Sequence, residues 1–157
     1  MRHRRRILTD SEEALRLRYQ AGGRPVYLAE RLPAGTLAFR LKPDILLATR
    51  SGRTALVLDT KYKRLDGAER RLGIAEADVY QMLAYAVALD CPRTLLLYPQ
   101  GAGSGPVAAH FQTLGHAHSV VAATVNLRQP LDRPAGMIQE LRQILTEVLA
   151  HGPMAKV

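Results

Sequence analysis

The sequence contains a single cysteine, Cys91, among 157 residues. One cysteine cannot form a disulfide within the chain and cannot complete a four-cysteine zinc or iron–sulfur site. No apolar run approaches the roughly 20 residues that a membrane span requires. The N-terminus, MRHRRRIL, lacks the apolar segment and the small-residue cleavage site of a secretory signal. These absences exclude a disulfide scaffold and favour a cytoplasmic protein.

Signals for nucleotide binding and for reading DNA bases are also missing. The glycine-rich segment 100–106, QGAGSGP, lacks the Lys-Ser/Thr ending of a phosphate-binding loop. The sequence has no zinc finger and no recognition-helix signature. His116 and His118 have a spacing that zinc ligands can have, but no neighbouring residue completes such a site.

The charge is positive, with 22 Lys and Arg against 14 Asp and Glu, a balance of +8. Four arginines in the first six residues supply half of this excess: Arg2, Arg4, Arg5 and Arg6. A modestly basic body permits binding to a polyanion without requiring it. Segment 1–8 is predicted to be a flexible basic tail, which either stays solvated, belongs to a linker or contacts DNA. Length and composition fit one domain over residues 1–157.

The most informative stretch is LKPDILLATRSGRTALVLDTKYK, which begins at Leu41. It predicts two strands joined by a turn at 50–53. Asp59 and Lys61 end the second strand and project from one face, because side chains alternate along a strand. A hairpin brings Asp44 close to Asp59, and two carboxylates with water and substrate oxygens suit Mg²⁺. Lys61 could orient a water or stabilise a phosphate; a solvated ion pair is the alternative.

A helix predicted over 74–89 is apolar on nearly every face, which is typical of a buried helix. Its polar residues Asp78, Gln81 and Tyr85 are spaced i, i+3, i+7 and therefore share one stripe. The stripe is either the solvated face of the helix, or it lies over the carboxylates of Asp44 and Asp59 and helps to hold metal-bound water or phosphate.

The rest of the chain predicts an α/β domain. Glu12 and Glu13 either complement the dipole of a first helix or reach the metal. The charged connector 64–73 either follows the phosphate backbone or is a solvated loop. The other predicted elements are a helix over Thr9–Gln20, an antiparallel meander of strands over Pro25–Arg31, Thr36–Thr49 and Thr54–Lys63, a parallel crossover strand over Arg93–Pro99, a hairpin of Val107–Leu114 with Ser119–Leu127, and a helix over Pro134–Ala150.

Pro43-Asp44 followed by Asp59-Thr60-Lys61 resembles the signature of PD-(D/E)XK nucleases. The segments LKPDILL, LVLDTKYKRLD, GIAEADVYQMLAYA and TLLLYP, in this order over residues 38–99, resemble the nuclease half of McrC, the cleaving subunit of the McrBC modification-dependent restriction system. The resemblance implies a restriction-endonuclease-like α/β fold, with a central mixed sheet of an antiparallel meander and one parallel crossover strand flanked by helices. It also implies DNA cleavage that depends on Mg²⁺ or Mn²⁺.

On this resemblance the metal carboxylates fall on Asp44 and Asp59. The carbonyl of Thr60, next to Asp59 in the sequence, is a further candidate ligand. The lysine of the signature falls on Lys61 and the helix motif on Gln81 and Tyr85, which makes these three, with the two aspartates, the predicted catalytic residues.

The resemblance also implies a McrB-like AAA+ GTPase partner that reads methylated cytosine. Family members are usually longer, with a preceding region that docks this partner, whereas 42 residues precede Pro43 here. The resemblance implies DNA as the substrate. Whether a motor partner binds this chain stays open, because the region that usually docks it is absent from the sequence before Pro43. Two alternatives remain: a PD-(D/E)XK nuclease of DNA repair or processing without a motor, and a DNA-binding or docking module that does not cleave.

Overall fold

The computed structural model describes residues 6–7, 15–19, 25–115, 117–130 and 132–150. In chain order the elements are β1 (Arg6–Ile7), β2 (Leu15–Tyr19), β3 (Val26–Arg31), β4 (Thr36–Leu41), β5 (Ile45–Ala48), β6 (Thr54–Thr60), α1 (Glu76–Ala88), β7 (Arg93–Pro99), β8 (Ala108–Gln112), β9 (Ser119–Val125) and α2 (Ala135–Ala150).

A seven-stranded sheet in the order β1-β2-β5-β6-β7-β9-β8 organises the described residues, and β3 and β4 form a separate two-stranded sheet. Neighbours from β1 to β6 are antiparallel, β7 is parallel to both β6 and β9, and β8 is antiparallel to β9. The predicted α/β fold with a mixed central sheet is confirmed, including the crossover from β6 through α1 to β7. The second parallel pair, β7 with β9, was not predicted.

The two helices cover opposite faces of the central sheet. Along β6, Leu56 and Leu58 belong to the core beneath α2, whereas Val57 belongs to the core beneath α1. Both faces of this strand are covered, which explains why its sequence is a continuous apolar run and does not alternate. The same alternation continues past Val57 and turns Asp59 toward α1.

The predicted helix over Thr9–Gln20 is wrong at residues 15–19, which form β2 between β1 and β5. Leu15 is buried and Leu17 half-buried, whereas Arg16 and Arg18 are exposed. This alternation with period two is a strand pattern, and pairing with β5 outweighs the acidic residues that suggested a helix start. Glu12 and Glu13 lie outside the described residues.

The predicted long strand over Thr36–Thr49 is wrong as a single element. It is divided at Lys42–Asp44 into β4, which pairs with β3, and β5, which pairs with β6. Pro43 has no N–H to donate to a ladder, and its ring restricts the residue before it, so the chain leaves one sheet here and enters another. Both hairpins of the predicted three-strand meander are present, β3 with β4 and β5 with β6, but they lie in separate sheets, and β2 is the other neighbour of β5.

The remaining elements lie close to their predicted bounds. The turn between β5 and β6 is closed by a hydrogen bond from the Thr49 N–H to the Arg53 carbonyl, and Gly52 has a φ of 94°, a left-handed value that favours glycine. The hairpin of β8 with β9 and both predicted later helices are present. Neither of the two helices in the described ranges is long and apolar enough to cross a membrane.

Candidate active site

The β5–β6 hairpin places the two predicted metal carboxylates side by side. Ile45 pairs with Leu58, so the next position along the ladder sets Asp44 opposite Asp59. The Asp44 carboxylate is held there by Thr60, whose backbone N–H and side-chain hydroxyl donate to Asp44 Oδ2 at 2.8 and 2.7 Å. Asp44 is therefore fixed at the end of β6 even though it precedes β5.

Asp59 is the only buried charged residue in the described part of the chain, with 5 % of its surface exposed. It lies near the C-terminal end of β6, on the face of the sheet that α1 covers. Lys61 Nζ lies 2.7 Å from Asp59 Oδ2, so the buried carboxylate is paired. The predicted same-face placement of Asp59 and Lys61 is confirmed by this contact.

Helix α1 completes the surroundings of Lys61. Lys61 Nζ donates to Gln81 Oε1 at 2.7 Å and forms an ion pair with Asp78 at 3.3 Å. Gln81 in turn donates from Nε2 to the hydroxyl of Tyr85 at 3.0 Å. Tyr85 is only 2 % exposed, so the polar stripe of α1 faces the sheet and not the solvent. The structure brings all the predicted site residues into one group.

Two further residues belong to this group that were not among the predicted catalytic and metal-binding residues. Asp78 was recognised as part of the α1 stripe, and the structure adds its ion pair with Lys61. Tyr98 follows Leu96 by two positions on β7, and Leu96 belongs to the core beneath α1. The alternation of β7 could have indicated that Tyr98 faces the same helix, but the apolar run around it gave no reason to expect a site there.

Burial sets the electrostatics of the site. Desolvation raises the pKa of Asp59; the hydrogen bond and the charge of Lys61 oppose this rise, and the charges of Asp44 and Asp78 add to it. Burial alone would lower the pKa of Lys61, but its contacts with Asp59 and Asp78 raise it above the ordinary value. Burial and the charges of Asp59 and Asp44 raise the pKa of Tyr85 to about 12. Lys61 is thus a firmly protonated cation and Tyr85 a neutral hydroxyl at neutral pH.

We expect Asp59→Asn to raise the melting temperature of the protein near neutral pH, in buffer that contains a chelator, because desolvation of the Asp59 carboxylate outweighs its pairing with Lys61. The folded protein holds the Asp59 proton more tightly than the unfolded chain does, because the pKa of Asp59 is raised. The stability contributed by this group is fully present below the ordinary value of 3.8 and is lost as pH rises through the raised folded-state pKa. Asparagine does not ionise, so it avoids that loss.

Thermal melts of wild type and variant from acid to neutral pH check this expectation. The difference between them should shrink toward zero well below pH 3.8, where wild-type Asp59 is protonated in both the folded and the unfolded state. Asp90→Asn is the matched control: Asp90 is exposed, lies beyond the far end of α1, and has a φ of 47° that asparagine tolerates. A variant that melts below wild type at neutral pH would show that the ion pair with Lys61 outweighs desolvation.

The donor set fits a hard divalent cation bound in part by its substrate. Within the described ranges, no group of three or more His, Cys, Asp or Glu side chains gathers to hold a metal. Asp44 and Asp59 supply two carboxylates, and the backbone at Thr60 lies directly beside them. Mg²⁺ is commonly held by one or two carboxylates together with water and substrate phosphate, so this pair suffices for it. A structural zinc site requires four protein ligands and does not fit here.

The connector between β6 and α1 contains neither helix nor strand, as predicted. It is folded on itself by hydrogen bonds from the Asp66 N–H to the Leu72 carbonyl and from the Ala68 N–H to Asp66 Oδ1. Lys63 pairs weakly with Asp78 at 3.5 Å and is 61 % exposed, and Arg64 and Arg70 are exposed. Lys63 therefore places one exposed cation beside Asp78, and the connector carries further exposed cations.

Other predicted features lie at the limits of the described residues. Arg6 and Ile7, within the predicted basic tail, form β1, and the rest of residues 1–8 lies outside the described ranges, as does His116. The carbonyl of His118 accepts hydrogen bonds from the backbone and the hydroxyl of Thr113, which closes the β8–β9 turn.

Comparison with known proteins bears on residues 5–99. Over this range, more than half of the chain, the sequence matches the model of the McrBC 5-methylcytosine restriction system component family. The matched range includes β5, β6, α1 and β7 and so contains every residue of the group around Lys61. No curated protein matches the chain.

Proposed function

The chain belongs to the McrBC 5-methylcytosine restriction system component family, and we propose that it is a metal-dependent DNA endonuclease domain of such a system. The reaction is hydrolysis of phosphodiester bonds, in the cytoplasm, with Mg²⁺ or Mn²⁺ as the cofactor. A restriction system requires a component that cleaves DNA, and the group around Lys61 has the chemistry for that role.

The observation that carries this proposal is the position of the Lys61 ammonium. It lies 2.7 Å from a buried carboxylate, Asp59, and 2.7 Å from the side-chain oxygen of Gln81. An ion pair with a purely structural role gains little from such burial, because desolvation offsets the attraction between the charges. A preorganised ammonium beside two carboxylates is instead suited to stabilise negative charge that develops on a phosphate.

Asp44 and Asp59 would hold the divalent ion, with the carbonyl of Thr60 as a third protein ligand. When bound, such an ion activates water for attack and neutralises charge on the phosphate. Thr60 contributes further by orienting Asp44 through its N–H and its hydroxyl. Removal of the Thr60 hydroxyl would therefore loosen one carboxylate without removing it.

Lys61 donates a hydrogen bond either to the attacking water or to a non-bridging oxygen of the phosphate. Gln81 fixes the direction of the Lys61 ammonium by accepting from it, and Tyr85 fixes Gln81 by accepting from its amide. The pKa of Tyr85 is raised to about 12, so the hydroxyl stays neutral and keeps this chain of hydrogen bonds intact at working pH. Gln81 and Tyr85 thus act through Lys61.

A McrB-like AAA+ GTPase is the proposed partner, and DNA is the proposed substrate. The site has no element shaped to read bases, so the choice of a methylated target is assigned to that partner. Cleavage of a supercoiled plasmid by the isolated chain tests the catalytic proposal directly. We expect nicks and linear product with Mg²⁺ or Mn²⁺, and none with a chelator. A chain that binds DNA but never cleaves it, with or without a partner, would be a docking module instead.

We also expect Mg²⁺ to bind weakly in the absence of DNA, because two carboxylates leave several positions to water and substrate oxygens. Asp59→Asn should weaken this binding at least about tenfold, since it removes one charged ligand. Titration calorimetry on the DNA-free protein measures both values, with Asp90→Asn as the control that leaves affinity unchanged. Tight binding of Zn²⁺ in preference to Mg²⁺ and Mn²⁺ would contradict the assignment and point to the histidines near 116–118.

A further inference from the structure

Tyr98 carries a buried hydroxyl that has no hydrogen-bond partner among the described residues. The residue is 1 % exposed, and its ring packs in the core beneath α1. Buried hydroxyl groups are nearly always hydrogen bonded, because burial of an unpaired one loses its bonds to water without replacement. The hydroxyl of Tyr98 therefore calls for a partner close to its position.

The sheet register places Tyr98 beside the site. β6 and β7 are parallel, with Thr60 aligned to Leu97 and the Lys61 N–H donating to the Leu97 carbonyl at 2.9 Å. Tyr98 is therefore the neighbour of Lys61 on the adjoining strand, and both face α1. Burial and then the charges of Asp78 and Asp59 raise the pKa of Tyr98 to about 12, so the hydroxyl stays protonated at neutral pH and can donate a hydrogen bond.

The Asp78 carboxylate, in turn, lacks short hydrogen bonds from donors. Its side chain is only 13 % exposed, yet its ion pairs are long, 3.3 Å to Lys61 and 3.5 Å to Lys63. A carboxylate can accept about four hydrogen bonds. A largely buried acceptor with spare capacity and a buried donor without a partner thus both neighbour Lys61.

We propose that Tyr98 is a positioning residue whose hydroxyl is joined to the Asp78 carboxylate by hydrogen bonds through one bound water, since no direct bond links the two side chains. These bonds keep Asp78 turned toward Lys61, and Asp78 in turn holds the ammonium between Asp59 and Gln81. The effect on catalysis rests on the proposed nuclease function, whereas the hydrogen bond itself does not.

A double-mutant cycle in stability tests the hydrogen bond without any measurement of activity. The variants are Tyr98→Phe, Asp78→Ala and the combination, compared by urea unfolding. We expect Tyr98→Phe to lower the urea midpoint of the wild-type background and to leave that of the Asp78→Ala background unchanged. An unchanged or raised midpoint on removal of the hydroxyl from wild type would show that it has no partner. An equal fall in both backgrounds would show that its partner is not Asp78. Either result overturns the proposal.

A second double-mutant cycle, with the same variants and the rate of DNA cleavage as the measurement, tests the positioning role. With Mg²⁺ and duplex DNA, Tyr98→Phe should lower kcat about tenfold and leave KM within about twofold, because the hydroxyl acts on Lys61 and not on DNA binding. The double variant should be no slower than Asp78→Ala. Val148→Ala, in the core beneath α2, is the control for lost stability and should leave kcat within about twofold.

If the loss in kcat of the double variant equals the product of the losses of Tyr98→Phe and Asp78→Ala, the two residues act independently and the positioning role is overturned. If wild type fails to cleave DNA under all conditions, the proposed function fails, and the stability cycle still decides the hydrogen bond.

Discussion

Replacement of either Asp59 or Lys61 by alanine is expected to abolish DNA cleavage by this chain while leaving its fold intact. Removal of one preorganised group that stabilises transition-state charge lowers kcat by about 10²–10³. Lys61 is such a group in the proposed mechanism, and loss of Asp59 removes a metal ligand and the partner of Lys61 together. The loss for Asp59→Ala should therefore equal or exceed that for Lys61→Ala.

The fold should survive both changes because neither residue is part of the apolar core. The main contacts of the Lys61 side chain are with Asp59, Asp78 and Gln81, all within the site. Burial already disfavours the charged form of Asp59, so its removal does not deprive the fold of a net favourable charge. Circular dichroism and urea unfolding should show folded, cooperative proteins.

Plasmid cleavage under single-turnover conditions measures the effect on rate. Asp90→Asn is the control for Asp59, because it removes a carboxylate at the opposite end of α1. Activity within about twofold of wild type in either alanine variant, with the fold intact, would refute the catalytic assignment. Cleavage lost together with cooperative unfolding would not count, and asparagine or methionine replacements at 59 and 61 would then take the place of alanine.

The core of the site could be predicted from the sequence because it depends on short-range geometry. A turn at 50–53 fixes which residues of β5 and β6 face each other, and this alone sets Asp44 opposite Asp59. The period of two along β6 places Asp59 and Lys61 on one face. The helical period of α1 then stacks Gln81 and Tyr85, and the crossover leaves only one face of the sheet for that helix.

The features that could not be predicted depend on pairing between distant segments. Residues 15–19 form a strand because β5 has a free edge for them, a fact that no local pattern contains. The acidic residues before Leu15 resemble the first turn of a helix, and that local signal pointed the wrong way. The break at Pro43 is visible in the sequence, but the transfer of β4 to a second sheet is not.

The same reasoning explains the residues that were missed within the site. Asp78 was visible as part of a stripe, but its ion pair depends on how far the Lys61 side chain reaches toward α1. Tyr98 is one letter in an apolar strand, and only the parallel register of β6 with β7 reveals that it adjoins Lys61. A polar side chain at the end of an apolar strand can therefore belong to a site when the register places it beside a functional residue of the neighbouring strand.

Binding of the chain to DNA is expected to be weak, insensitive to cytosine methylation and strongly dependent on salt. The balance of +8 and the exposed cations of the connector, such as Lys63, Arg64 and Arg70, are the groups expected to contact phosphates. Neutralisation of phosphates releases counterions, so the logarithm of affinity falls with the logarithm of salt by about 0.9 for each contact. With about three contacts, affinity should fall about fortyfold between about 50 and 200 mM salt.

Fluorescence anisotropy with matched methylated and unmethylated duplexes across a salt series measures slope and preference together. Replacement of Arg2, Arg4, Arg5 and Arg6 by glutamine should reduce the slope by about one unit for each phosphate contact that is lost. Arg142→Gln is the control, since Arg142 is exposed on α2, across the sheet from the site, and should leave the slope unchanged. An equal slope with and without the four arginines would exclude them from the interface. A preference of more than about tenfold for methylated DNA is the result that contradicts this prediction, because phosphate contacts carry no sequence information and such a preference requires groups that touch the base edges.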